Sequence, residues 1–463
     1  MFGYFCVMIT DETIIALSTP PGIGAIGVIR LSGKEAISIT NSVFSGKDLL
    51  QQESHTIHFG MIKDGNVIID EVLVSLFIAP KSYTKENVVE ISCHGSNYII
   101  QQIISLLIRK GASAAKPGEF TLRAFLNGGL DLSQAEAVAD LISSDSQAAH
   151  SVAMNQLRGG FSTELNQLRE KLIHFASMIE LELDFAEEDV EFANRDQLQA
   201  LIDQITLVIN KLIRSFELGN VIKQGINTVI AGRPNAGKST LLNALLNEER
   251  AIVSEIAGTT RDTIEEVLNI NGINFRLIDT AGIREAKDAI EIIGVEKTME
   301  KISQSAVLVY LFDVINMSAS EIKEDIAKLY KPGVAFLAVA NKMDLTYNDR
   351  LAELDLPKDI NFIAISAKEN RQIDDLKQML YETAVGDQLS DSHTMVTNIR
   401  HVEALQKTQH ALAQVSNGMV NPVTSDFLAT DIKQALYYLG EITGQVTTDD
   451  LLENIFSKFC IGK

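Results

Sequence analysis

The sequence predicts a multidomain chain of mixed class, in which an α+β domain comes first and an α/β domain is inserted into an all-α domain. The first part of the chain alternates short β-branched runs, such as GAIGVIRLSG and NVVEISCHG, with a helical pattern over Tyr98 to Arg109. A stretch almost free of Pro and Gly then keeps helical spacing to about Gly219, and helical spacing returns after Thr383. Between the two helical stretches, a strand pattern, a glycine-rich loop and a helix pattern follow one another.

These changes of texture give the domain boundaries. The chain has 463 residues, of which 46% are apolar, so it can supply cores for about three domains. A capping box at Ser133 and Glu136 marks the first long helix of the helical domain. The predicted ranges are 1–127 for the α+β domain, 128–221 and 385–463 for the two parts of the helical domain, and 222–384 for the inserted domain.

The inserted domain carries a phosphate-binding loop. The run GRPNAGKST, from Gly232 to Thr240, fits G-x-x-x-x-G-K-[ST], in which backbone amides at a helix N-terminus face phosphates. Lys238 would neutralise the β and γ phosphates, and Ser239 would hold Mg²⁺. Because NTVIAG before the loop is a strand pattern and STLLNALLNEE after it has helical spacing, the sequence predicts a P-loop (Ras-like) domain.

Three further motifs follow in order and indicate a guanine nucleotide. In DTAG, Asp279 suits a water-mediated Mg²⁺ ligand and the Gly282 amide can sense the γ-phosphate. In NKMD, which begins at Asn341, the Asp344 carboxylate can accept from the ring N–H and the exocyclic amine of guanine together, which adenine cannot offer. SAK begins at Ser366. The nucleotide is therefore predicted to be GTP.

One residue that many GTPases use is missing. The position directly after DTAG, where a Gln often orients the attacking water, is occupied by Ile283. An apolar side chain cannot do this, so hydrolysis needs another device.

Composition and charge exclude several classes of protein. The net charge of −21 makes broad, sequence-independent RNA binding unfavourable, so any RNA contact should be local or shared with a basic partner. No apolar run reaches the roughly 18 residues of a membrane span, and the first residues lack the features of a signal peptide, so we expect a cytoplasmic chain without membrane contact. The three cysteines have no paired spacing and are expected to be reduced thiols.

Three local patterns resemble sites but favour other interpretations. The run Gly22 to Gly27 matches G-x-G-x-x-G, yet two prolines precede it and a strand pattern follows, which excludes the dinucleotide fingerprint. Cys93 and His94 are neighbours in a strand, so they should point to opposite faces and not form a dyad. The acidic stretch from Asp184 to Phe192 is predicted to be a solvated helix end or turn and not a metal site.

Five segments together resemble the bacterial tRNA-modification GTPase family MnmE, also called TrmE, of the TrmE-Era-EngA-like group. They are TPPGIGAIGVIR, PGEFTLRAFLNGGLDLSQAEAV, GRPNAGKST, IAGTTRD and the terminal FCIGK. The resemblance covers all of the chain except its first residues. It implies a homodimeric, K⁺-dependent GTPase that forms a heterotetramer with two subunits of the FAD-dependent protein MnmG. That complex would add an aminomethyl or carboxymethylaminomethyl group at C5 of the wobble uridine of certain tRNAs.

The resemblance also implies roles around the nucleotide. K⁺ would be bound by Asn235, Ser254, Ile256 and Thr259, and would supply the charge that an arginine finger supplies elsewhere. Thr260 would complete Mg²⁺ coordination, Glu291 would position the water, and Arg261, Asp262 and Arg284 would be switch residues. The expected catalytic residues are Glu291, Lys238 and Cys460. The expected GTP-binding residues are Asn235, Ala236, Gly237, Lys238, Ser239, Thr240, Ser254, Glu255, Ile256, Ala257, Gly258, Thr259, Thr260, Asp279, Thr280, Ala281, Gly282, Asn341, Lys342, Asp344, Ser366, Ala367 and Lys368.

At the N-terminal domain the resemblance implies dimerisation and a reduced folate, 5,10-methylenetetrahydrofolate or 5-formyl-tetrahydrofolate. Arg30 suits the folate carboxylate and Glu90 the pterin donors. Gly129 stands where family members often carry Lys or Arg, so only its backbone could contact the ligand. Lys463, at the chain end, is expected near the same pocket. Cys460 can be either a reactive thiol or a packing residue.

Two other function classes can be weighed on the sequence. An Era- or Der-like ribosome-assembly switch would show a KH-type GXXG loop with basic surroundings or a second GTPase domain. A membrane-remodelling GTPase would need a basic amphipathic or apolar anchor. This sequence has none of these three features.

Overall fold

The computed structural model describes residues 12–184, 194–246, 265–279, 305–345, 357, 360–385, 395–420 and 425–462. They form two compact units. The first consists of the described residues of Met1–Ile142, Gln156–Leu207 and Glu403–Lys463, and the second consists of those of Ser143–Asn155 and Val208–Val402. The second unit interrupts the first along the sequence, in agreement with an inserted domain. The individual domain boundaries stay predictions.

A seven-stranded sheet forms the N-terminal part of the first unit. Its order is β3-β4-β5-β6-β2-β1-β7, and only β1 and β7 pair in parallel. Apolar residues alternate along its strands, so that Val72, Val74 and Leu76 are buried while their neighbours face outward. The strands are β1 (Ile14–Leu17), β2 (Ile26–Ser32), β3 (Phe44–Ser45), β4 (Thr56–Asp64), β5 (Val67–Phe77), β6 (Val88–His94) and β7 (Ser113–Ala114).

Two helices, α1 (Ala36–Asn41) and α2 (Asn97–Arg109), pack on this sheet. The buried residues of α2 recur at helical spacing and share a core with Ile29 and Ile91 of the sheet. The predicted helix over Tyr98 to Arg109 is thus confirmed. Strand β2, and not a helix, follows the Gly22 to Gly27 loop, which confirms that this loop is not a dinucleotide fingerprint.

The remaining elements of the first unit are helices, as predicted. Its complete helices are α3 (Glu119–Leu126), α6 (Gly160–Asp184), α12 (Ser425–Thr443) and α13 (Asp449–Phe456). Four others, α4 (Leu132–Ser143), α5 (Gln147–Leu157), α7 (Arg195–Gln224) and α11 (Ile399–Val420), belong in part to each unit. Among the described helices, none is both long enough and apolar enough to cross a bilayer.

The capping box predicted at Ser133 and Glu136 is wrong. Helix α4 begins at Leu132, so Ser133 already lies inside it. The Asp131 carboxylate accepts hydrogen bonds from Gln134 N at 2.8 Å and from Ser133 Oγ at 2.7 Å. A carboxylate two residues upstream therefore acts as the helix cap instead of the Ser133 hydroxyl.

The second unit is an α/β domain around a six-stranded sheet of order β13-β12-β11-β8-β10-β9. All neighbours are parallel except β9 and β10. Every residue of the central strand β11 is buried, as expected where apolar layers cover both faces of a parallel sheet. The strands are β8 (Ile226–Ala231), β9 (Glu265–Ile270), β10 (Ile273–Asp279), β11 (Val307–Asp313), β12 (Ala335–Asn341) and β13 (Asn361–Ala364), and the helices are α8 (Lys238–Leu246), α9 (Ala319–Leu329) and α10 (Ile373–Val385).

Candidate functional site

The carboxyl ends of the parallel strands bring the predicted nucleotide motifs to one edge of the second sheet. Strand β8 ends one residue before Gly232, and helix α8 begins at Lys238, so the strand, loop and helix order predicted for the P-loop is confirmed. Asp279 ends β10 and pairs with Ile230 in β8, beside the loop. Asn341 ends β12 opposite Asp313 of β11. The described motifs therefore share one edge.

The phosphate-binding loop has a tightly defined backbone. Asn235 and Gly237 adopt positive φ angles of 64° and 100°. A Cβ on Gly232 would clash with the carbonyl oxygen of Leu311, and one on Gly237 would clash with the Asn341 side-chain amide. Lys238 Nζ donates to the carbonyl oxygens of Gly232 at 2.6 Å and Arg233 at 3.1 Å. These contacts fix the backbone conformation of the loop and hold the Lys238 ammonium against the loop carbonyls.

Asn341 links the phosphate-binding loop to the predicted base-binding loops. Its side chain is buried, donates to the carbonyl oxygen of Ala236 at 2.8 Å and accepts from Ala367 N at 3.1 Å. Asp344 accepts from Ser366 Oγ at 2.7 Å, which joins NKMD to SAK. These two loops and the phosphate-binding loop therefore form one hydrogen-bonded assembly.

The lysine of NKMD is oriented by a carboxylate that the sequence analysis did not identify. Lys342 Nζ donates to Asp313 Oδ2 at 2.7 Å, and Lys342 itself has a positive φ of 70°. Burial alone would raise the pKa of Asp313, but hydrogen bonds from Lys342, Asn316 and two backbone amides bring it below its ordinary value. The sequence signal that could have identified Asp313 is an Asp at the end of an otherwise apolar strand.

Arg233 is a second functional candidate that sequence reasoning missed. Its guanidinium binds Asp325 and Glu321 of helix α9. The motif treats this position as variable, so no sequence signal selects it.

Several predicted residues lie outside the described residues. They are Ser254, Glu255, Ile256, Ala257, Gly258, Thr259, Thr260, Arg261, Asp262, Thr280, Ala281, Gly282, Ile283, Arg284, Glu291 and Lys463, together with residues 185–192 of the acidic stretch. Of Asp279, the backbone alone is described. Ser239, Thr240 and Lys368 lie exposed at the same edge as the described motifs.

A second group of predicted residues meets in the first unit. Arg30 of β2 pairs with Glu90 of β6, with Nη2 2.8 Å from Glu90 Oε1. Its guanidinium lies 5.7 Å from the ring centroids of Tyr83 and Phe120. Arg30 Nη1 also donates to the carbonyl oxygen of Gly462 at 3.3 Å. The chain end therefore lies against the residues expected to hold a carboxylate ligand.

Gly129 has Lys85 as its neighbour. A Cβ on Gly129 would lie 3.6 Å from Lys85 Cε, and Lys85 Nζ donates to the carbonyl oxygen of Gly128 at 2.6 Å. Lys85 has a positive φ of 59°, which is uncommon for a residue with a side chain. The aliphatic part of the Lys85 side chain therefore lies beside Gly129, the position where a Lys or Arg was expected.

The two described cysteines are both free and differ in environment. Cys93 is buried in the sheet core, whereas Cys460 is exposed. Burial, with a further contribution from Asp70, raises the pKa of Cys93 to about 11. The two side chains have different partners: Cys93 Sγ donates to the carbonyl oxygen of Gly27 at 3.4 Å, whereas His94 Nδ1 lies 2.7 Å from Asp70 Oδ1. The structural interpretation of the Cys93 and His94 pair is confirmed.

Comparison with known proteins identifies relatives along most of the chain. The family model for the MnmE helical domain matches residues 132–460, and that for the GTP-binding protein TrmE N-terminus matches residues 13–129. The tRNA modification GTPase MnmE of Cytophaga hutchinsonii is 59% identical over 453 residues, covering 98% of each chain. The protein of the same name from Flavobacterium psychrophilum is 56% identical, covering 98% of this chain and all of that one.

Solved structures match over a smaller part of the chain. A structure of Aquifex aeolicus Era bound to GDP and aluminium fluoride is 28% identical and covers 40% of this chain and 66% of that chain, with a TM-score of 0.29. The FeoB G-domain from Methanococcus jannaschii covers 34% of this chain, with 22% identity and a TM-score of 0.25. The family assignment therefore depends on the sequence comparisons.

Proposed function

We propose that this chain, which belongs to the MnmE (TrmE) family of tRNA modification GTPases and hydrolyses GTP, depends on K⁺ and acts with MnmG on the wobble uridine of tRNA. The complex would add an aminomethyl or carboxymethylaminomethyl group at C5 of that base. The proposal is supported by two groupings: the described nucleotide motifs share one edge of the sheet in the second unit, and Arg30, Glu90 and the Gly462 carbonyl meet in the first.

The geometry of the second unit supports the proposed nucleotide roles. Lys238 lies at the mouth of the phosphate-binding loop and would move from the loop carbonyls to the β and γ phosphates. Ser239, in the first turn of α8, fits Mg²⁺, which would offset charge on those phosphates. Asp344 would accept from guanine, and its bond from Ser366 fixes the carboxylate.

Potassium dependence is supported by the position of Asn235. This residue lies exposed in the loop with a positive φ, so its side-chain oxygen would be accessible to a monovalent cation beside the phosphates. Such a cation would stabilise negative charge in the transition state. Since Ile283 cannot orient water through hydrogen bonds, Glu291 is proposed for that role.

A reduced folate is proposed for the first unit. Glu90 would accept from its pterin donors, Arg30 would orient Glu90 at that end of the ligand, and Tyr83 and Phe120 would border it. Gly129 could contribute backbone contacts and Lys463 a charge. Cys460 is exposed and lies two residues before Gly462, whose carbonyl oxygen accepts from Arg30. Its thiol would therefore lie near the proposed one-carbon donor and be accessible for chemistry.

Dimerisation is proposed through the N-terminal sheet. Ile57 and Phe59 of β4 and Leu73 of β5 are exposed, and Phe59 pairs directly with Leu73. Adjacent exposed apolar side chains on one sheet are suited to an interface. The proposed assembly is a homodimer that joins two MnmG subunits in a heterotetramer, with FAD on MnmG.

The modification is tested by nucleoside mass spectrometry of total tRNA from a deletion strain. Wild type should restore the C5-aminomethyl-type uridines, and neither Lys238→Ala nor Cys460→Ser should do so. Unchanged wobble uridines in the deletion strain would contradict the proposal.

Potassium dependence is tested by enzyme kinetics. GTP hydrolysis should be faster in KCl than in NaCl at equal ionic strength, and Asn235→Ala should remove the difference. Equal wild-type rates in the two salts would exclude the potassium mechanism.

A further inference from the structure

Arg233, the second residue of the phosphate-binding loop, uses all three guanidinium nitrogens in ion pairs. Nε and Nη2 donate to the two carboxylate oxygens of Asp325 at 2.8 and 3.1 Å, and Nη1 donates to Glu321 Oε1 at 2.8 Å. The planar fork of an arginine matches a carboxylate in this bidentate geometry, and a lysine cannot reproduce it. The contact is therefore directional and fixes the side chain in one orientation.

Both carboxylates are themselves attached to rigid parts of the fold. Asp325 Oδ2 also accepts from the Tyr310 hydroxyl at 2.8 Å, and Tyr310 is only 1% exposed in the central strand β11. Glu321 Oε2 accepts from the backbone N and the hydroxyl of Ser318, which completes the capping box of α9. The guanidinium is consequently tied to the first turns of a capped helix and to the sheet core.

The backbone of Arg233 closes the turn that shapes the loop. Its carbonyl oxygen accepts from Ala236 N at 3.3 Å and from Lys238 Nζ at 3.1 Å. The amides that would face phosphate follow directly after this turn, where a helix N-terminus favours an anion. Fixing Arg233 therefore fixes the start of the segment that binds phosphate.

We propose that Arg233 is a positioning residue for nucleotide binding: held by Asp325 and Glu321, it keeps the phosphate-binding loop in its binding shape before the nucleotide arrives. A loop ordered in advance loses less conformational freedom on binding. This advantage is shared by the bound substrate and the transition state. Loss of the clamp should thus raise KM for GTP and leave kcat nearly unchanged.

The test compares variants of the full-length chain by GTPase kinetics and by direct titration with GDP. Arg233→Ala should raise KM and the Kd for GDP roughly tenfold, the order expected for loss of a bidentate charged pair, with kcat within about twofold of wild type. Arg233→Lys keeps the charge but loses the fork, and should show most of the same rise. The lysine variant also keeps the test available if the alanine variant does not fold.

Asp325→Asn separates positioning from a simple electrostatic effect. It removes a negative charge near the phosphates, so an electrostatic effect alone would leave KM unchanged or lower it. If Arg233 positions the loop, Asp325→Asn should raise KM as Arg233→Ala does. The double variant, with both substitutions, should raise KM little beyond either single variant, because the two residues act as one unit. The matched control is Glu324→Gln, which removes a charge from the same helix in an exposed pair with Lys328 and should leave KM unchanged.

Three results would overturn the proposal. The first is a KM within twofold of wild type in both Arg233 variants. The second is a fall in kcat without a change in KM. The third is an unchanged or lower KM in Asp325→Asn.

Discussion

A side chain at Gly237 would be unfavourable for two reasons: the backbone has a positive φ, and a neighbouring loop lies close. Its φ is 100°, and a Cβ would clash with the Asn341 side-chain amide, which itself donates to Ala236. Gly237→Ala should therefore weaken GTP binding by at least roughly tenfold, because the substitution separates the phosphate-binding and base-binding loops. Titration with GDP measures this.

Gly333 is the matched control for this substitution. It has a similar φ of 89°, but a Cβ there would meet nothing within 4 Å. Gly333→Ala should cost about 1 kcal/mol of unfolding free energy through backbone strain and leave the Kd for GDP unchanged. Equal effects of the two substitutions on Kd would contradict the role given to the Asn341 contact.

The two described thiols should differ sharply in reactivity. The thiolate is the reactive form, and Cys93 is buried with its pKa raised to about 11, so it stays protonated at pH 8. Alkylation of the native protein at pH 8, followed by peptide mapping, should label Cys460 and leave Cys93 unmodified. In denaturing urea both should react. Labelling of Cys93 in the native state at the rate of Cys460 would show that the sheet core opens readily.

At the scale of elements, the C-terminal helix α13 is docked on the start of helix α3. Gly118, which precedes α3, has a φ of 67°, and its Cβ would lie 2.6 Å from the carbonyl oxygen of Phe456 and 3.0 Å from Phe459 Cβ. Gly118 N also donates to the carbonyl oxygen of Cys460 at 3.4 Å. The chain end therefore depends on a residue without a side chain at position 118.

Gly118→Ala should displace this docking and speed amide hydrogen exchange in α13 and the residues after it. Gly128→Ala is the control, because Gly128 has a φ of 66° and open space around it. The control should leave exchange in α13 unchanged. If both variants exchange alike, the close approach at Gly118 is not what holds the chain end.

The ion pair between Asp313 and Lys342 joins the end of strand β11 to the base-binding loop. The pKa of Asp313 is lowered in the folded protein, so its contribution to stability is present above the unfolded pKa of roughly 4 and is lost as pH falls through the folded value. The difference in unfolding free energy between wild type and Asp313→Asn should thus be constant above about pH 5 and shrink below it.

Asp374→Asn is the comparison for this pH dependence. Asp374 is 88% exposed and lies 3.6 Å from Lys377, so its removal should change stability little at any pH. Urea unfolding at several pH values measures both variants. A stability difference for Asp313→Asn that grows as pH falls would contradict the assigned sign.

How much an element could be predicted depended on how local its signal is. The P-loop was predictable because a strand, a glycine-rich turn and a helix are consecutive in sequence. The same S-x-x-E pattern occurs at Ser133 and at Ser318, yet only Ser318 caps a helix in this way. Near Ser133, the Asp131 carboxylate accepts from the backbone N–H of Gln134 and so caps the helix instead of the Ser133 hydroxyl. The four-residue pattern alone cannot show which of two nearby polar side chains caps the helix.

At the scale of the whole molecule, the contacts that complete the nucleotide site and the proposed folate site join residues far apart in sequence. Arg233 and Asp325 are 92 residues apart, and Arg30 and Gly462 are 432 apart. Asp325 lies in the charged run EIKED, which alone indicates a solvated helix face. Motifs could therefore identify the ligand-binding loops, while the residues that support them became visible only in the fold.

The division of the chain into two units predicts that the nucleotide site and the proposed folate site can be inactivated separately. The described residues of the nucleotide site lie in the second unit, whereas Arg30, Glu90 and Gly462 lie in the first. Lys238→Ala should abolish GTP hydrolysis and preserve retention of tritiated 5-formyl-tetrahydrofolate. Arg30→Ala should abolish folate retention and keep kcat for GTP within about twofold, because it removes no contact in the nucleotide site.

Wobble-uridine modification should require both sites, so each variant should lose it for a different reason. Arg109→Ala is the control, because Arg109 forms an exposed pair with Asp64 and should affect none of the three measurements. A large loss of GTP hydrolysis in Arg30→Ala would contradict this independence. Since neither substitution removes a residue from the other unit, that result would require the ligand state of the first unit to control hydrolysis in the second through energetic coupling.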